Sequence, residues 1–208
     1  MEKSIEIFTL VAGVIYVILE IRQKPLMWVL GIFTSLASMW LFFRQGLYAS
    51  SALNTYYLLT AFIGLWQWGK DRKRLADVSR ETEQDGDVLH LNRLTVKALV
   101  SSAIVTVVAV AGLGRVMALF GNPMSYVDSA VAVLSAIATW WLVRSYLEQW
   151  WLWVLANALS VWLCASQQMW WLTMLYAAYT LSAVYGWIYW RRHGRYVEQK
   201  DITDDTDS

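Results

Sequence analysis

Trp150, Trp153 and Asn157 stand at i, i+3 and i+7 in the stretch Glu148–Asn157, E-Q-W-W-L-W-V-L-A-N, and so share one face of a helix. Ser160 and Cys164 prolong that face. An amide turned toward lipid would have no water to bond, so Asn157 is expected to look into the protein or into a wet cavity. Indoles beside a lone amide suit a planar, polar, ring-bearing solute. The same spacing has a plainer reading, because tryptophans gather at membrane interfaces and a bundle-facing Asn often only ties helices together. Trp150, close to the helix end, is read that way; for Trp153 with Asn157 the choice depends on the rest of the chain.

Other polar groups inside apolar runs are few. Asn54 and Gln67 belong to one run, and Asn54, Tyr57, Ala61, Gly64 and Trp68 form one of its faces. Tyr179, Ser182, Gly186 and Trp190 form the corresponding face of the last run. Gln67 falls on another side of an ideal helix, so it can share a cavity with Asn54 only if the helix bends near Gly64. Thr34, Ser35, Ser38, Thr139, Ser160, Thr180 and Ser182 are weaker members of the set, and back-bonding to their own helix is the preferred reading for each. With Asn54 added, a cavity reading of Asn157 moves ahead.

Catalysis is disfavoured. His90 lies in a polar loop and His193 in a basic tail, where both are expected to be solvated. No Ser, Thr or Cys has an identifiable base, Cys164 reads as a small apolar residue, and no phosphate-binding glycine loop appears. No metal or cofactor is implied. Glu6, Glu20, Asp128, Arg144 and Glu148 all fall toward the ends of apolar runs, where long side chains reach the interface and acidic groups cap helices. With no carboxylate in mid-span there is no evident proton relay, which argues for passive movement of solute rather than ion-coupled pumping.

The elements that must position these residues are membrane spans. Of the 208 residues 58% are hydrophobic and only 16% charged, too few for an ordinary soluble domain. The net charge of +1 offers nothing to nucleic acid, and fourteen tryptophans with two prolines fit spanning helices with aromatic belts. Seven apolar stretches, at roughly 4–21, 26–43, 47–69, 95–118, 127–144, 150–167 and 169–190, approach the ~20 residues a bilayer needs. The first ends in E-I-R-Q-K-P rather than a cleavage site and is read as a retained span. The segment 70–94 reads as a solvated cytoplasmic loop with some helix, 191–208 as a cytoplasmic tail with a disordered acidic end. An external N-terminus leaves only Lys3, Arg44 and Arg115 outside and puts the other fourteen basic residues on the cytoplasmic side.

The chain also repeats itself. Trp28-Val29-Leu30-Gly31 echoes Trp153-Val154-Leu155-Ala156, and Gly64-Leu65-Trp66-Gln67-Trp68 echoes Gly186-Trp187-Ile188-Tyr189-Trp190. This pairing needs one small insertion between the halves. A three-helix unit (1–69) and a second (127–190), joined by one linker helix (95–118), enter the membrane in the same direction. The expected fold is therefore an all-α membrane protein of seven transmembrane helices in a 3+1+3 parallel repeat. Its solute site should lie where the halves meet.

These residues resemble the PnuC-type vitamin transporters of bacterial cytoplasmic membranes. The likeness is carried by Asn54-Thr55-Tyr56-Tyr57, Gly64-Leu65-Trp66-Gln67-Trp68, Asp128-Ser129 and the W-x-x-W-x-x-x-N pattern of Trp150, Trp153 and Asn157, and runs from about Glu6 to Trp190. The departures are Asn54, where relatives often carry Gln, and Leu65, where an aromatic is usual. The resemblance implies facilitated diffusion of a vitamin precursor, nicotinamide riboside first and thiamine as the alternative, made net by a cytoplasmic kinase that traps the solute. It also implies a SWEET-like layout and a homotrimer. A vitamin-binding subunit of an ATP-driven importer is a further alternative. On this reading Trp150, Trp153, Asn157, Asn54, Tyr57, Gln67 and Tyr179 bind substrate, and Trp68 with Trp190 form a cytoplasmic gate.

Overall fold

The computed structural model describes residues 13–44, 48–81, 89–121 and 124–196. Glu6 and the acidic end of the chain lie outside them. Residues 13–21 are helical (α1), followed by α2 (Leu26–Arg44), α3 (Tyr48–Glu81), α4 (Val96–Leu119), α5 (Ser125–Val143), α6 (Gln149–Ser166) and α7 (Trp170–His193). The helices α4 and α5 are long and apolar enough to cross a membrane by composition alone, and Leu26–Leu41 is a shorter apolar stretch. Pairs that follow one another pack together: α2 on α3, α4 on α5, α5 on α6 and α6 on α7, with α3 crossing to α5. The linker helix α4 turns large apolar residues such as Val107, Val108 and Leu119 outward. It is fixed to α5 where Tyr126 lies over Gly114 and Trp141 donates its indole N–H to Ser102 Oγ at 3.1 Å.

Two boundaries differ from the sequence expectation. The third helix does not stop at 69 but runs on to Glu81, because KDRKRLADVSRE is made largely of good helix formers and can continue in water. The seventh continues through the basic residues to His193. Beyond it Gly194–Tyr196 (β2) pairs in parallel with Leu89–Leu91 (β1), a short strand inside the segment expected to be a solvated loop. His90, at the centre of β1, is 4% exposed and correspondingly not solvated. Its ring lies 3.6 Å from Asp71 on the extension of α3 and 3.2 Å from Asn92. His193 is exposed, as expected, with its ring against Tyr189.

Several features recur 122 positions further along the chain, a spacing that needs no insertion. Trp28 pairs with Trp150, not Trp153; Gly64 pairs with Gly186 and Trp68 with Trp190. Backbone bonds fix this register. After α1, Gln23 N–H donates to Glu20 O and Lys24 N–H to Leu19 O; after α5, Ser145 N–H donates to Leu142 O and Tyr146 N–H to Trp141 O. Both are left-handed helix-stop turns, with Gln23 at φ 50° and Ser145 at φ 55°. The equivalent residues also meet. Gln23 Nε2 donates to Ser145 Oγ at 3.3 Å, and the Trp68 and Trp190 rings lie 6.5 Å apart.

Candidate functional site

The core of the molecule is a chain of four indoles. Trp28 meets Trp68 edge-on at 5.2 Å, Trp68 meets Trp190 at 6.5 Å, and Trp190 meets Trp150 edge-on at 5.5 Å. All four are buried, as edge-to-face geometry and their large apolar area favour. Two glycines make room for them: a methyl at Gly64 would sit 2.5 Å from the Trp28 ring, and one at Gly186 2.5 Å from the Trp150 ring. Each unit is then bolted to the other. The Trp68 N–H donates to Leu142 O at 3.2 Å and the Trp190 N–H to Ile21 O at 2.9 Å, so the last helix of either unit holds the end of the other unit's first helix.

On one side of the indoles lies a cavity of about 380 Å³, within the range that holds small-molecule ligands. Trp28 and Trp150 belong to its wall. Six of the expected binding residues line it from three helices: Asn54 and Tyr57 from α3, Trp150, Trp153 and Asn157 from α6, and Tyr179 from α7. The tyrosine reaches across to Gly13 of α1. Thr34, Ser35, Ser38 and Thr139 are in the wall as well, and Thr34 and Thr139 back-bond to Leu30 O and Ser135 O. Ser160, Thr180 and Ser182 also back-bond, to Ala156 O, Tyr176 O and Ala178 O, and lie outside it. At the corresponding step of α7 Ala183 lines the cavity instead of Ser182, as Ala61 does on α3.

Three expectations change. Gln67 does not reach the cavity: α3 is one continuous helix, and the Gln67 amide lies 3.3 Å from Asp71 on the next turn. Trp150 touches the cavity but is 2% exposed and packed on Gly186 and Trp190, so its ring faces are committed to the protein. Glu20, placed at an interface by its position near a helix end, is 5% exposed and turned into the cavity wall with Tyr16 one turn before it. The signal for it was the spacing Gly13, Tyr16, Val17, Glu20, a single face of α1. Trp68 and Trp190 lie outside the lining, in the indole cluster that separates the cavity from a small cleft of about 70 Å³ beside Asp71 and His90.

A bundle of apolar helices around a cavity walled by indoles, phenols and amides is the frame of a membrane solute transporter. The profile of the nicotinamide mononucleotide transporter family matches residues 3–192. The chain belongs to that family, the PnuC-type membrane transporters. It is 26% identical to the nicotinamide riboside transporter PnuC of Haemophilus influenzae over 136 residues, which is 65% of this chain and 56% of that protein. The PnuC proteins of Escherichia coli and Neisseria mucosa are 26% and 24% identical, over 74% and 88% of this chain and 71% and 70% of theirs. In fold, the chain is similar to the crystal structure of the vitamin B3 transporter PnuC, with a TM-score of 0.63 at 22% identity over 88% of this chain and 80% of that one.

Proposed function

We propose that the chain is a facilitated-diffusion carrier of nicotinamide riboside in a bacterial cytoplasmic membrane. One observation carries this: Asn54, Tyr57, Trp153, Asn157 and Tyr179, from three helices, wall a single cavity. The family's description names a mononucleotide and the relatives' names a riboside. The wall favours the riboside. Among the described residues it contains no Lys or Arg and does contain Glu20, whereas a phosphate dianion calls for cationic or backbone N–H donors and would be repelled by a carboxylate.

On this reading Trp153 stacks on the nicotinamide ring, and Asn54 and Asn157 bond the ribose hydroxyls or the carboxamide. Trp68 and Trp190 close the cytoplasmic side. The matched halves, residues 1–69 and 127–190 with α4 between them, form a 3+1+3 parallel repeat of SWEET-like layout about an axis along the membrane normal. The N-terminus is outside and residues 191–208 are cytoplasmic. Rocking of one unit against the other alternates access. A cytoplasmic kinase makes uptake net, and three chains assemble as a trimer.

The test is uptake of labelled nicotinamide riboside into sealed vesicles holding the purified protein, without nucleotide or ion gradient. Equilibration is expected. Trp153→Ala should lower affinity roughly 5- to 150-fold, the equivalent of ~1–3 kcal/mol of ring stacking, and Asn157→Ala should also slow uptake. Wild-type rates for both variants would remove the site assignment, and a requirement for ATP would favour an importer subunit. Preference for thiamine over the riboside in the same assay would replace the substrate while keeping the carrier.

A further inference from the structure

Four residues that line the same cavity each hold a buried polar atom without a hydrogen-bond partner among the described residues: Oε1 of Glu20 and the indole N–H of Trp28, Trp150 and Trp153. Glu20 is 5% exposed, Trp28 1% and Trp150 2%, so water does not bathe them freely. Glu20 also enters no ion pair among the described residues; the buried pair there is His90 with Asp71. A carboxylate held this way carries a large desolvation cost that only a nearby positive charge or several donors offset. Its neighbours do not supply that charge. They are Tyr16 on α1 and Gln149 at the start of α6, and no basic side chain lines the cavity among the described residues. A cationic solute would supply that charge.

We propose that Glu20 is the counter-ion of the transported molecule and selects an organic cation whose charge lies on or beside an aromatic ring. The remaining wall fits that class and argues against a bare inorganic ion. Indole faces attract a cationic ring. The unpartnered indole N–H groups in the same wall carry positive hydrogens, which suit hydroxyl or carbonyl oxygens of an organic solute and offer a metal ion no ligand. A cavity of about 380 Å³ also leaves most of its volume to a ring and its substituent. This inference rests on the carrier reading above and adds the residue that reads charge.

Calorimetric binding to the purified protein tests it with two probes of nearly the same shape: nicotinamide riboside, whose pyridinium is cationic, and its reduced dihydropyridine form, which is neutral. Wild-type protein is expected to bind the cation at least about tenfold more tightly, as a desolvated charge pair should allow. Glu20→Gln is expected to erase most of that preference by weakening the cation alone, and Glu20→Asp to retain part of it. Equal binding of the two probes by wild-type protein overturns the proposal without any variant having to fold. So does a Glu20→Gln protein that keeps the preference or weakens both probes alike, and in those cases carriage of the riboside still stands. Wild-type protein that binds neither probe removes the nicotinamide riboside reading and this inference with it.

Discussion

A methyl group at position 186 would stand 2.5 Å from the Trp150 ring, and one at position 64 would stand 2.5 Å from Trp28, while Gly69 and Gly112 have open space around them. The indoles behind Gly64 and Gly186 are rigid and already packed edge-on against Trp68 and Trp190. Both also belong to the cavity wall, so displacing them alters the cavity. Gly64→Ala and Gly186→Ala are therefore each expected to destabilise the protein by about 1–3 kcal/mol and to weaken solute binding. Gly112→Ala should be neutral or stabilising by up to ~1 kcal/mol, since an open helix interior favours Ala. Thermal unfolding in detergent with and without solute checks all three. The same residue-by-residue view shows what a sequence can disclose about the site. Trp153 and Asn157 were legible because their spacing shares one face within one helix. Glu20 and Trp28 were not, because a residue three positions from a turn looks like an interface anchor until the opposing wall, here α3, α6 and α7, is known. Gln67 failed for the converse reason: it is polar and near the right helix end, but points to Asp71.

At the scale of elements, hydrophobic runs announced the helices well, and turn residues marked most of their ends. The β1–β2 pair gave no local signal, since Leu89-His90-Leu91 is three residues long and its partner strand lies about a hundred positions away. What pins β1 is a side chain. Gln23 takes the place of a neighbouring strand for His90: its Oε1 accepts the His90 N–H at 2.9 Å and its Nε2 donates to the His90 carbonyl at 2.9 Å. Gln23→Ala would leave that buried N–H and carbonyl without these bonds, at about 1–3 kcal/mol for each unsatisfied group. The expected outcome is faster amide hydrogen exchange across Leu89–Leu91 and Gly194–Tyr196, with exchange in the middle of α5 and α6 unchanged. Unaltered exchange in β1 would show that the strand pairing and the contact with Asp71 hold it without Gln23. The same residue sits in the left-handed turn that ends α1, so the clasp ties the extension of α3 and the end of α7 to the first unit's turn.

Across the whole molecule, the residues that meet their own counterparts define how the halves are joined. Gln23 touches Ser145 and Trp68 faces Trp190, so residues 122 positions apart meet at the indole cluster and the turns beside it. The cross-bonds from Trp68 to Leu142 O and from Trp190 to Ile21 O lie at that cluster, between the cavity and the small cleft near His90. If one unit rocks against the other to let solute through, these two bonds must break. Each is worth about 0.5–1.5 kcal/mol. Replacing both indoles by Phe keeps apolar bulk and removes both donors, and a loss of ~1–3 kcal/mol corresponds to roughly a 5- to 150-fold shift between closed and open forms. A cysteine at Ala61, buried in the cavity wall, reports on that shift when Cys164 has been replaced by Ala. A charged, membrane-impermeant thiol reagent, applied from the face that carries residues 191–196, is expected to modify Ala61→Cys slowly with both tryptophans present and many times faster in the Trp68→Phe, Trp190→Phe protein. Bound solute should change both rates. Equal rates with and without the indole donors would mean that this cluster packs the two units together but does not govern passage.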